Sequence, residues 1–322
     1  MRALVQTGYG SPARVALQEV PRPVPGPDDL LVAVHAAGLN AADRLLLRGE
    51  PFAIRALAGG LRRPRAGFVV GRALAGRVEA VGADVRDFAP GDEVLAESTG
   101  AIGELAVVPA RLAARKPVGL TFAEAAALPI AAATALASVR SVSRGQRFLV
   151  TGASGGVGTF AVQLAVAKGA TVTGVCSERN AALVRKLGAE RIIAYEKTTA
   201  AALGSTGERF DVILDLAGNY PVPALRRILA PGGSLLLSAG TGGRWLGPAR
   251  RMLKALITSG RQVRPLTVRP NSADLSELAG MVATGQIRPV IDDIYTFDES
   301  PAALDRIDRG WVAGKIIVAV AE

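Results

Sequence analysis

The sequence has very little cysteine and histidine: its 322 residues include one of each, Cys176 and His35. One cysteine cannot form an internal disulfide bond or a multi-cysteine zinc site, and His35 and Cys176 stand in the wrong elements to assemble a three-ligand catalytic zinc. These counts exclude a disulfide framework and a Cys/His metal centre. Both exclusions fit a reducing compartment, and the expected location is the cytoplasm. Cys176 lies in an apolar run, where packing within a strand is the favoured role.

Long hydrophobic runs are also missing. The most apolar stretch, residues 125–139, is too short to cross a bilayer and contains Pro129. The first residues show no charged-then-apolar leader of the secretory kind. About half of the residues, 49%, are hydrophobic, which is enough for a substantial core and for two domains. We therefore expect a soluble protein without a transmembrane segment.

Aromatic residues make up only 4% of the chain, although its formal net charge is +10. Of the 38 basic residues six are lysines, which leaves 32 arginines, and these are scattered along the chain. Nucleic-acid interfaces need clustered cations and aromatic rings for base stacking. Specific nucleic-acid binding is therefore not predicted, and the excess charge is interpreted as a solvated surface with some attraction for anionic ligands.

A glycine-rich turn is the most informative feature present. Residues 148–158 read Phe-Leu-Val-Thr-Gly-Ala-Ser-Gly-Gly-Val-Gly, and a helical pattern continues to residue 168. Glycines in such a strand-to-helix turn let the backbone approach a dinucleotide pyrophosphate, and the first N–H groups of the helix face the phosphates. The predicted contacts are Ala153, Ser154, Gly155, Gly156, Val157 and Gly158.

The residues around this turn predict the fold that normally carries it. Further strands are predicted at 170–176, 191–194, 210–216, 234–239 and near 265–269, with a helix over 179–187 and other helical stretches between. Strands that alternate with helices predict a doubly wound parallel sheet of the Rossmann type, and thus an α/β fold. The pattern favours a nicotinamide-dependent oxidoreductase over an α/β core that binds no nucleotide.

The two ends of the chain have a different pattern of predicted secondary structure. The first hundred residues show short strands at 30–36 and 73–81, a turn and strand at 90–95, and few helices. An alanine-rich hinge over 121–139 follows. The C-terminal part alternates helices and strands and ends in a strand at 315–320. We expect residues 1–122 and 271–322 to form one β-rich domain and residues 123–270 the Rossmann domain.

Several segments carry a resemblance that covers nearly the whole chain: residues 8–12, 38–43, 76–82, 90–92 and 309–318, together with the glycine-rich turn. With them the sequence resembles the zinc-independent quinone oxidoreductase branch of the medium-chain dehydrogenase/reductase superfamily. The resemblance implies a GroES-like catalytic domain interrupted by a Rossmann domain, and a homodimer that pairs Rossmann sheet edges. Asn40 and Arg72 stand where zinc-dependent relatives have metal ligands, so chemistry without a metal is expected.

The residues after the second strand of the Rossmann domain bear on the choice of cofactor. Ser177 can bind a phosphate group by a hydrogen bond and Arg179 can neutralise it, which favours NADPH. Glu178 is the argument for NADH, because an acidic residue near this position binds the ribose hydroxyls in NAD enzymes. The resemblance adds further cofactor-binding residues: Thr134, Tyr195, Gly218, Ala239 and Gly240.

The candidate catalytic residues are Asn40, Arg72 and Tyr9. Without a metal, negative charge on the acceptor oxygen needs hydrogen-bond donors such as the Asn40 amide, or a cation such as Arg72. Tyr9 is a candidate proton donor, with packing as the alternative. Asp43 is interpreted as a turn-capping residue in a loop. Leu45, Leu46, Leu47 and Leu105 predict an aliphatic substrate pocket.

Quinones and enones need less polarisation than plain ketones, since their anions are delocalised. The predicted function is therefore hydride transfer from NADPH to a quinone or an α,β-unsaturated carbonyl compound, a quinone, enone or enal. Two alternatives are a trans-acting enoyl or alkenal reductase on the same scaffold and a non-catalytic NADPH-binding regulatory protein. A basic amphipathic segment at 242–259 is expected to cover the substrate cleft or a subunit interface, with a peripheral membrane helix as the alternative.

Overall fold

The computed structural model describes residues 1–199, 202–204, 207–238, 262–310 and 312–321. Contacts within the chain divide it into two compact units. Unit 1 comprises Met1–Ala133 and Arg269–Glu322, and unit 2 comprises Thr134–Val268. In the described parts of the chain no helix combines the length and the apolar character needed to cross a membrane.

The strands of the described residues are β1 (Arg2–Gln6), β2 (Val15–Glu19), β3 (Asp29–Leu39), β4 (Ala73–Val81), β5 (Glu93–Glu97), β6 (Leu105–Pro109), β7 (Ala113–Arg115), β8 (Arg147–Thr151), β9 (Thr171–Cys176), β10 (Arg191–Ala194), β11 (Phe210–Asp215), β12 (Leu229–Leu237), β13 (Val263–Pro265), β14 (Ile291–Thr296) and β15 (Lys315–Ala319).

The α-helices of the described residues are α1 (Ala41–Arg48), α2 (Phe122–Ala126), α3 (Ala131–Val139), α4 (Gly156–Ala167), α5 (Ala181–Lys186), α6 (Val222–Arg227), α7 (Ser272–Ala283) and α8 (Ser300–Arg309). Short 3-10 helices cover Pro12–Arg14, Phe52–Ala58, Ala110–Leu112, Glu178–Asn180 and Ala202–Gly204.

Unit 1 is built on a seven-stranded sheet in the order β14-β15-β3-β4-β5-β7, with β6 also paired to β3. Strand β3 is 11 residues long and lies at the centre, because it pairs with β4, β6 and the C-terminal strand β15. The antiparallel register of β15 and β3 places Ile316 opposite Leu39. The pairing therefore brings Lys315 to the end of β3, where helix α1 begins.

Unit 2 contains a six-stranded sheet in the order β10-β9-β8-β11-β12-β13, and every neighbouring pair is parallel. The chain moves outward from β8 on one side and from β11 on the other, so the order of strands reverses between these two. Ligands of such sheets bind beyond the carboxyl ends of the strands at this reversal point. The predicted Rossmann-type α/β fold and its doubly wound parallel sheet are confirmed.

Several predicted elements match the structure closely, since β4 and β10 have the predicted bounds. Two strands of unit 2 differ from prediction. Strand β12 begins at Leu229 rather than residue 234, and an irregularity in its register with β11 accommodates the Pro-Gly-Gly stretch at 231–233. The sixth strand is Val263–Pro265 and does not extend to residue 269.

The loop predicted around Asn40 is wrong, because Ala41–Arg48 forms helix α1 directly after β3. Asn40 is its N-cap, and Leu46 and Leu47 on one face are buried. Gly49 ends the helix in the left-handed conformation with φ 62°, where a side chain would be strained. The alanine-rich hinge consists of the two helices α2 and α3.

Candidate functional site

The start of helix α1 holds a buried carboxyl group. Oδ2 of Asp43 accepts the backbone N–H of Asn40 at 2.7 Å, so Asp43 caps the helix that contains it. The predicted capping role of Asp43 is thus observed, on a helix rather than on a turn. Its other oxygen, Oδ1, is buried and has no hydrogen-bond partner among the described residues. A capping role alone leaves this second oxygen unexplained.

Lys315 is the cation that faces this group, and the sequence analysis did not identify it. Its side chain is 2% exposed, and Nζ donates to the Leu39 carbonyl and to Oδ1 of Asn40, both at 2.6 Å. The amide nitrogen of Asn40 donates to the Gly38 carbonyl at 2.9 Å. Asn40 is therefore held in place by a buried lysine and by the backbone.

Burial changes the proton affinity of both charged groups. Desolvation raises the pKa of Asp43 to about 6, although the Asn40 N–H and the positive charge of Lys315 act in the opposite direction. Desolvation also lowers the pKa of Lys315 to about 7, against the influence of Asp43. Burial thus favours the uncharged form of both groups, a perturbation that is common at functional sites.

A cavity of about 110 Å³ lies in unit 1 beside Asp43. Its wall combines the apolar residues Leu46, Leu57, Phe68 and Val70 with Gly71 and four polar residues, Gln6, Asp43, Arg72 and Thr99. An apolar cavity with a few convergent polar groups is the usual form of a small-molecule site. Leu46 agrees with the predicted aliphatic pocket, Phe68 adds an aromatic ring, and Leu105 lies at a different hollow.

Arg72 places a positive charge at the wall of this cavity. Its guanidinium group lies 2.6 Å from Oε1 of Glu97, and its side chain is 32% exposed. Burial raises the pKa of Glu97, and the ion pair with Arg72 opposes this rise. Arg72 therefore stands between a buried carboxylate and the cavity, where it can also contact a ligand.

Tyr9 is not part of the cavity wall. Its hydroxyl donates to the Gly60 carbonyl at 2.6 Å and lies 3.2 Å from the Arg55 carbonyl, while the Arg55 guanidinium group stacks over its ring at 4.5 Å. These contacts agree with the packing alternative, since the hydroxyl proton is already used. The structure thus brings Arg72 and Asp43 together at the cavity, with Asn40 behind them and Tyr9 outside.

Two of the larger hollows in unit 1, of about 620 and 520 Å³, contain none of the predicted catalytic or cofactor-binding residues, although Leu105 lines the second. The first is lined by charges of both signs, among them Asp84, Arg86 and Asp87. Neither hollow combines a perturbed titratable group with an apolar wall. The smaller cavity beside Asp43 is therefore the better candidate site.

In unit 2 the glycine-rich turn is fixed by a buried network. The Thr151 hydroxyl donates to Oδ1 of Asp215 at 2.6 Å and accepts the N–H groups of Leu216 and Ala217. Oδ1 of Asp215 also accepts the N–H of Gly218 at 3.1 Å. The loops after β8 and β11 are thereby tied together at the point where the strand order reverses.

The turn has the shape that a pyrophosphate needs. A Cβ on Gly158 would lie 2.1 Å from the Gly152 carbonyl oxygen, so only glycine lets α4 pack this closely. At Gly155 the one described atom within 4 Å of such a Cβ would be the Gly152 carbonyl oxygen, at 3.4 Å, so the surroundings are less crowded there. The N-cap Gly155 has no side chain to bind the first N–H groups of α4, and such groups can bind an anion. These residues fit a dinucleotide cofactor.

The end of β9 carries the residues that bear on cofactor choice. Ser177 is buried and Arg179 is exposed, and the charge of Arg179 acts on the pKa of Tyr195, so these two side chains lie near each other. Glu178 forms an exposed ion pair with Lys197. The Asn180 amide donates to the Ser154 hydroxyl at 3.0 Å and joins this end of β9 to the turn.

The remaining predicted cofactor-binding residues are placed as follows. Thr134 lies in α3, and Gly218 follows β11 with φ 70°. Ala239, Gly240 and the segment 242–259 lie outside the described residues. Lys315 and Gln6 were missed because a lone lysine and a lone glutamine in predicted strands give no local signal. A charged residue in the otherwise apolar final strand was the available hint for Lys315.

No group of three or more His, Cys, Asp or Glu side chains suited to hold a metal ion occurs within the described ranges. Asn40 and Arg72, which stand at the positions of metal ligands in zinc-dependent relatives, bind Lys315 and Glu97. Cys176 is buried in β9, and desolvation raises the pKa of its thiol to about 11. Such a thiol is inert, in agreement with the packing role predicted for it.

Two family models match the chain. The alcohol dehydrogenase GroES-like domain matches residues 26–137, and the zinc-binding dehydrogenase model matches residues 187–318. A chloroplast envelope quinone oxidoreductase homolog of Arabidopsis thaliana is 31% identical over 99% of this chain and 98% of its own. The mitochondrial NAD(P)H oxidoreductase RTN4IP1 of Mus musculus is 34% identical, with coverage of 91% and 82%. A trans-enoyl reductase of Aspergillus terreus is 31% identical, with coverage of 92% and 88%.

Comparison with solved structures leads to the same class of proteins. The quinone oxidoreductase of Coxiella burnetii has a TM-score of 0.88 and 27% identity, and the match covers 100% of this chain and 99% of the other. A mycobacterial protein in complex with NADPH has a TM-score of 0.82 and 25% identity, with coverage of 99% and 100%. The chain belongs to the medium-chain dehydrogenase/reductase superfamily. It is an oxidoreductase with quinone oxidoreductase homologues, a GroES-like domain and a Rossmann domain that binds NAD(P).

Proposed function

We propose that the protein reduces a quinone or an α,β-unsaturated carbonyl compound with NADPH and without a metal ion. The observation that carries this proposal is the cavity in unit 1, where apolar walls meet Arg72 and a carboxyl group with an unusual pKa. Relatives named as quinone oxidoreductases and as NAD(P)H oxidoreductase support the reaction class. The bound cofactor would supply a hydride, and the protein's own residues bind and orient the reactants.

Unit 2 supplies the binding of the cofactor in this proposal. The first N–H groups of α4 and the open space at Gly155 hold the pyrophosphate. Ser177 and Arg179 receive the 2′-phosphate group that distinguishes NADPH from NADH, with Tyr195 beside Arg179. A structural neighbour bound to NADPH supports the same preference. Glu178 is engaged by Lys197, which weakens the argument for NADH.

Unit 1 supplies the stabilisation of charge. When a carbonyl compound is reduced, its oxygen becomes negative, and a cation at a dry wall stabilises that oxygen strongly. Arg72 is the cation that lines the cavity. The amide of Asn40 donates to Gly38 instead, so its role is to hold the Lys315 ammonium group rather than to contact substrate. Because no strong Lewis acid takes part, acceptors with delocalised anions are favoured.

A trans-acting enoyl or alkenal reductase is the second candidate, and the fungal trans-enoyl reductase relative favours it. The apolar wall formed by Leu46, Leu57 and Val70 suits an acyl chain as well as a ring. We further propose a homodimer in which β13, at one edge of the six-stranded sheet, pairs with its copy. A cytoplasmic location stays a prediction, since two relatives are named for the mitochondrion and the chloroplast envelope.

The test of the proposed function is the consumption of NADPH, followed by its absorbance with a chelator present. A simple benzoquinone and a medium-chain enal are compared side by side, and NADH replaces NADPH in a parallel series. Turnover with the quinone supports the first candidate, and turnover with the enal alone supports the second. Tight NADPH binding with no turnover of either compound would contradict both and favour a non-catalytic NADPH-binding protein.

A further inference from the structure

Residues 51–78 of unit 1 contain six arginines and no acidic residue. Arg72 and Arg77 are neutralised by ion pairs with glutamates from strand β5. Three other arginines of this stretch are exposed and form no ion pair with any residue that the structure describes: Arg62, Arg63 and Arg65. Unit 1 therefore presents a cluster of positive charge that its own carboxylates do not balance.

The same stretch also exposes apolar side chains. Leu57 is 64% exposed and Leu61 is 63% exposed, and Ala53 and Ala56 are exposed beside them. A single exposed leucine is ordinary in a soluble protein. Two large leucines four positions apart, next to unbalanced cations, form an apolar patch with a charged rim, which is the usual form of an interaction surface.

Hydrogen bonds fix the turn that carries these side chains. Arg55 donates from Nε to the Gly49 carbonyl and from Nη1 to the Leu61 carbonyl, both at 2.9 Å. The Tyr9 hydroxyl donates to the Gly60 carbonyl at 2.6 Å. The exposure of Leu61 is therefore a property of a hydrogen-bonded turn, and a partner would meet leucines and arginines that are already in place.

We propose that this stretch is a lipid-docking surface for an anionic phospholipid bilayer, made of Leu57, Leu61, Arg62, Arg63 and Arg65. Guanidinium groups bind phosphates by paired, charge-assisted hydrogen bonds. The leucines enter the boundary between the head groups and the acyl chains. Basic residues near an anionic leaflet add an electrostatic attraction.

A bilayer fits this surface better than other polyanions do. A nucleic acid offers phosphates but no acyl layer, so it would leave both leucines in water. A protein partner would have to carry acidic and apolar groups in matching places, whereas a fluid bilayer presents phosphates and acyl chains everywhere on its surface. Charge and apolar character together therefore favour the lipid.

The lipid-docking surface meets the candidate substrate site at Leu57, which is exposed and also lines the cavity of about 110 Å³. Phe68 and Val70 continue the apolar wall of that cavity. Docking would thus place an apolar entrance against the acyl layer, where quinones with long alkyl chains dissolve. This role in substrate delivery rests on the proposed function, whereas lipid binding itself does not.

The test is sedimentation of the full chain, without cofactor, with vesicles of two compositions. One is phosphatidylcholine alone, and the other mixes one part of phosphatidylglycerol with two parts of phosphatidylcholine. We expect binding to the anionic vesicles that weakens when NaCl is raised from about 0.1 M to about 1 M, since the Debye length falls from about 10 Å to about 3 Å.

Two results of this experiment would overturn the proposal. The first is no binding to anionic vesicles, which would leave a protein as the partner of the surface, and the second is equal binding to both compositions. A duplex DNA titration is run beside it. DNA binding as tight as vesicle binding, phosphate for phosphate, would make the surface a general polyanion site and overturn the proposal as well.

The charge contribution is tested by the triple variant R62Q/R63Q/R65Q. Each arginine near an anionic bilayer contributes about fivefold to affinity, so we expect a loss of about 100-fold. The control removes three exposed arginines of unit 2 and lowers the net charge equally: R144Q/R147Q/R227Q. An equal loss in the control would show that only overall charge matters, which would refute the docking surface.

The apolar contribution is tested by the double variant L57S/L61S, which should lose about tenfold or more in affinity for anionic vesicles. The control is Val118→Ser, because Val118 is fully exposed outside this surface. Unchanged binding of L57S/L61S would mean that the leucines do not enter the lipid and would contradict the proposal.

A second measurement reports insertion directly. Leu61→Cys is labelled with an environment-sensitive fluorophore, and the native thiol of Cys176 does not compete because it is buried and burial raises its pKa to about 11. Anionic vesicles should shift the emission to the blue for L61C and leave labelled V118C unchanged. Absence of a shift in L61C would refute insertion at this surface.

The outcome is separable from the proposed function. R62Q/R63Q/R65Q should reduce a water-soluble benzoquinone with NADPH at the normal rate and a long-chain quinone held in anionic vesicles more slowly. Turnover of the soluble quinone without any vesicle binding would refute the docking surface alone. Vesicle binding without turnover of either quinone would refute the reduction of quinones and leave the docking surface in place.

Discussion

Each of the two units buries a carboxylate, and the two carboxylates differ in their hydrogen-bond partners. In unit 2, Asp215 receives the Thr151 hydroxyl and the Gly218 N–H, and it joins two loops. In unit 1, Asp43 has one oxygen bound by Asn40 and the other without a partner in the described residues, beside a cavity. A buried carboxylate whose hydrogen bonds join two loops holds a fold together, while one with an unpartnered oxygen has a polar atom that the surrounding fold does not satisfy.

The units also differ in how they meet a negative charge. In the proposed function, unit 2 offers backbone N–H groups to the phosphates of the cofactor, so this site depends on glycines within one short stretch of chain. Unit 1 uses side chains, Arg72 and Lys315, that come from opposite ends of the sequence. A binding site built from backbone N–H groups tolerates substitutions, as long as the new side chains do not occupy the space of the ligand. A side-chain site is lost when one charge is removed, because the others remain buried.

The largest expected effect is on the stability of unit 1. Lys315→Met removes two hydrogen bonds, to Leu39 and Asn40, and leaves Asp43 without its cation. Because buried polar groups then lack partners, we expect a loss of about 3–5 kcal/mol in the free energy of unfolding. The measurement is urea denaturation followed by circular dichroism.

Two further variants test whether this loss of stability comes from the buried charges. Lys197→Met removes a lysine from an exposed ion pair in unit 2 and should cost less than about 1 kcal/mol. The double variant D43N/K315M should lose less than K315M alone, since no carboxylate charge remains to be compensated. A K315M protein as stable as K197M would mean that the buried charges contribute nothing to unit 1.

The next effect is on turnover. If Arg72 stabilises the negative oxygen as proposed, Arg72→Ala should lower kcat about 100-fold, and NADPH affinity should stay unchanged. R72A leaves the Glu97 carboxylate buried without its partner, so the double variant R72A/E97Q is measured beside it. Arg77→Ala is the matched control, because Arg77 forms the neighbouring ion pair with Glu93. Unchanged kcat in R72A would make Arg72 a scaffold residue.

The smallest effect concerns unit 2 and the cofactor. Arg179→Ala should weaken NADPH binding about 10-fold to 100-fold by removing a charge-assisted contact with the 2′-phosphate. NADH binding should not change, because NADH lacks that phosphate. Fluorescence titration of both reduced cofactors measures the difference. Arg191→Ala, which breaks the ion pair with Glu208, serves as the control. Equal losses for NADPH and NADH would refute the role of Arg179 in the choice.

Much of unit 2 was predictable because its signals are local. The glycine-rich turn joins one strand to the helix that follows it, and β10 was predicted with its observed bounds. Strand β12 was predicted too short, since the Pro-Gly-Gly stretch at 231–233 resembles a turn in isolation. Its pairing with β11 keeps it in the sheet. Long-range pairing overrode the local preference at that point.

In unit 1 the sequence indicated Asn40 and Arg72, yet it did not indicate Lys315 or Gln6. Asp43 was recognised as a capping residue, although helix α1 itself was missed because it follows β3 without a linker. Lys315 is 272 positions beyond Asp43 and reaches it only through the pairing of β15 with β3. The sequence around Asp43 contains no pattern that indicates Lys315, and the sequence around Lys315 contains none that indicates Asp43.

The sequence by itself determined the superfamily, the Rossmann sheet and the turn for the cofactor, because a phosphate site built from backbone N–H groups needs only a continuous stretch of suitable residues. Tertiary structure decided the candidate substrate site. Sheet pairing buried Asp43 with Lys315, moved the pKa of each group towards neutrality and left Oδ1 of Asp43 without a hydrogen-bond partner among the described residues. Desolvation and long-range contact are properties of the folded chain, so no local pattern encodes them.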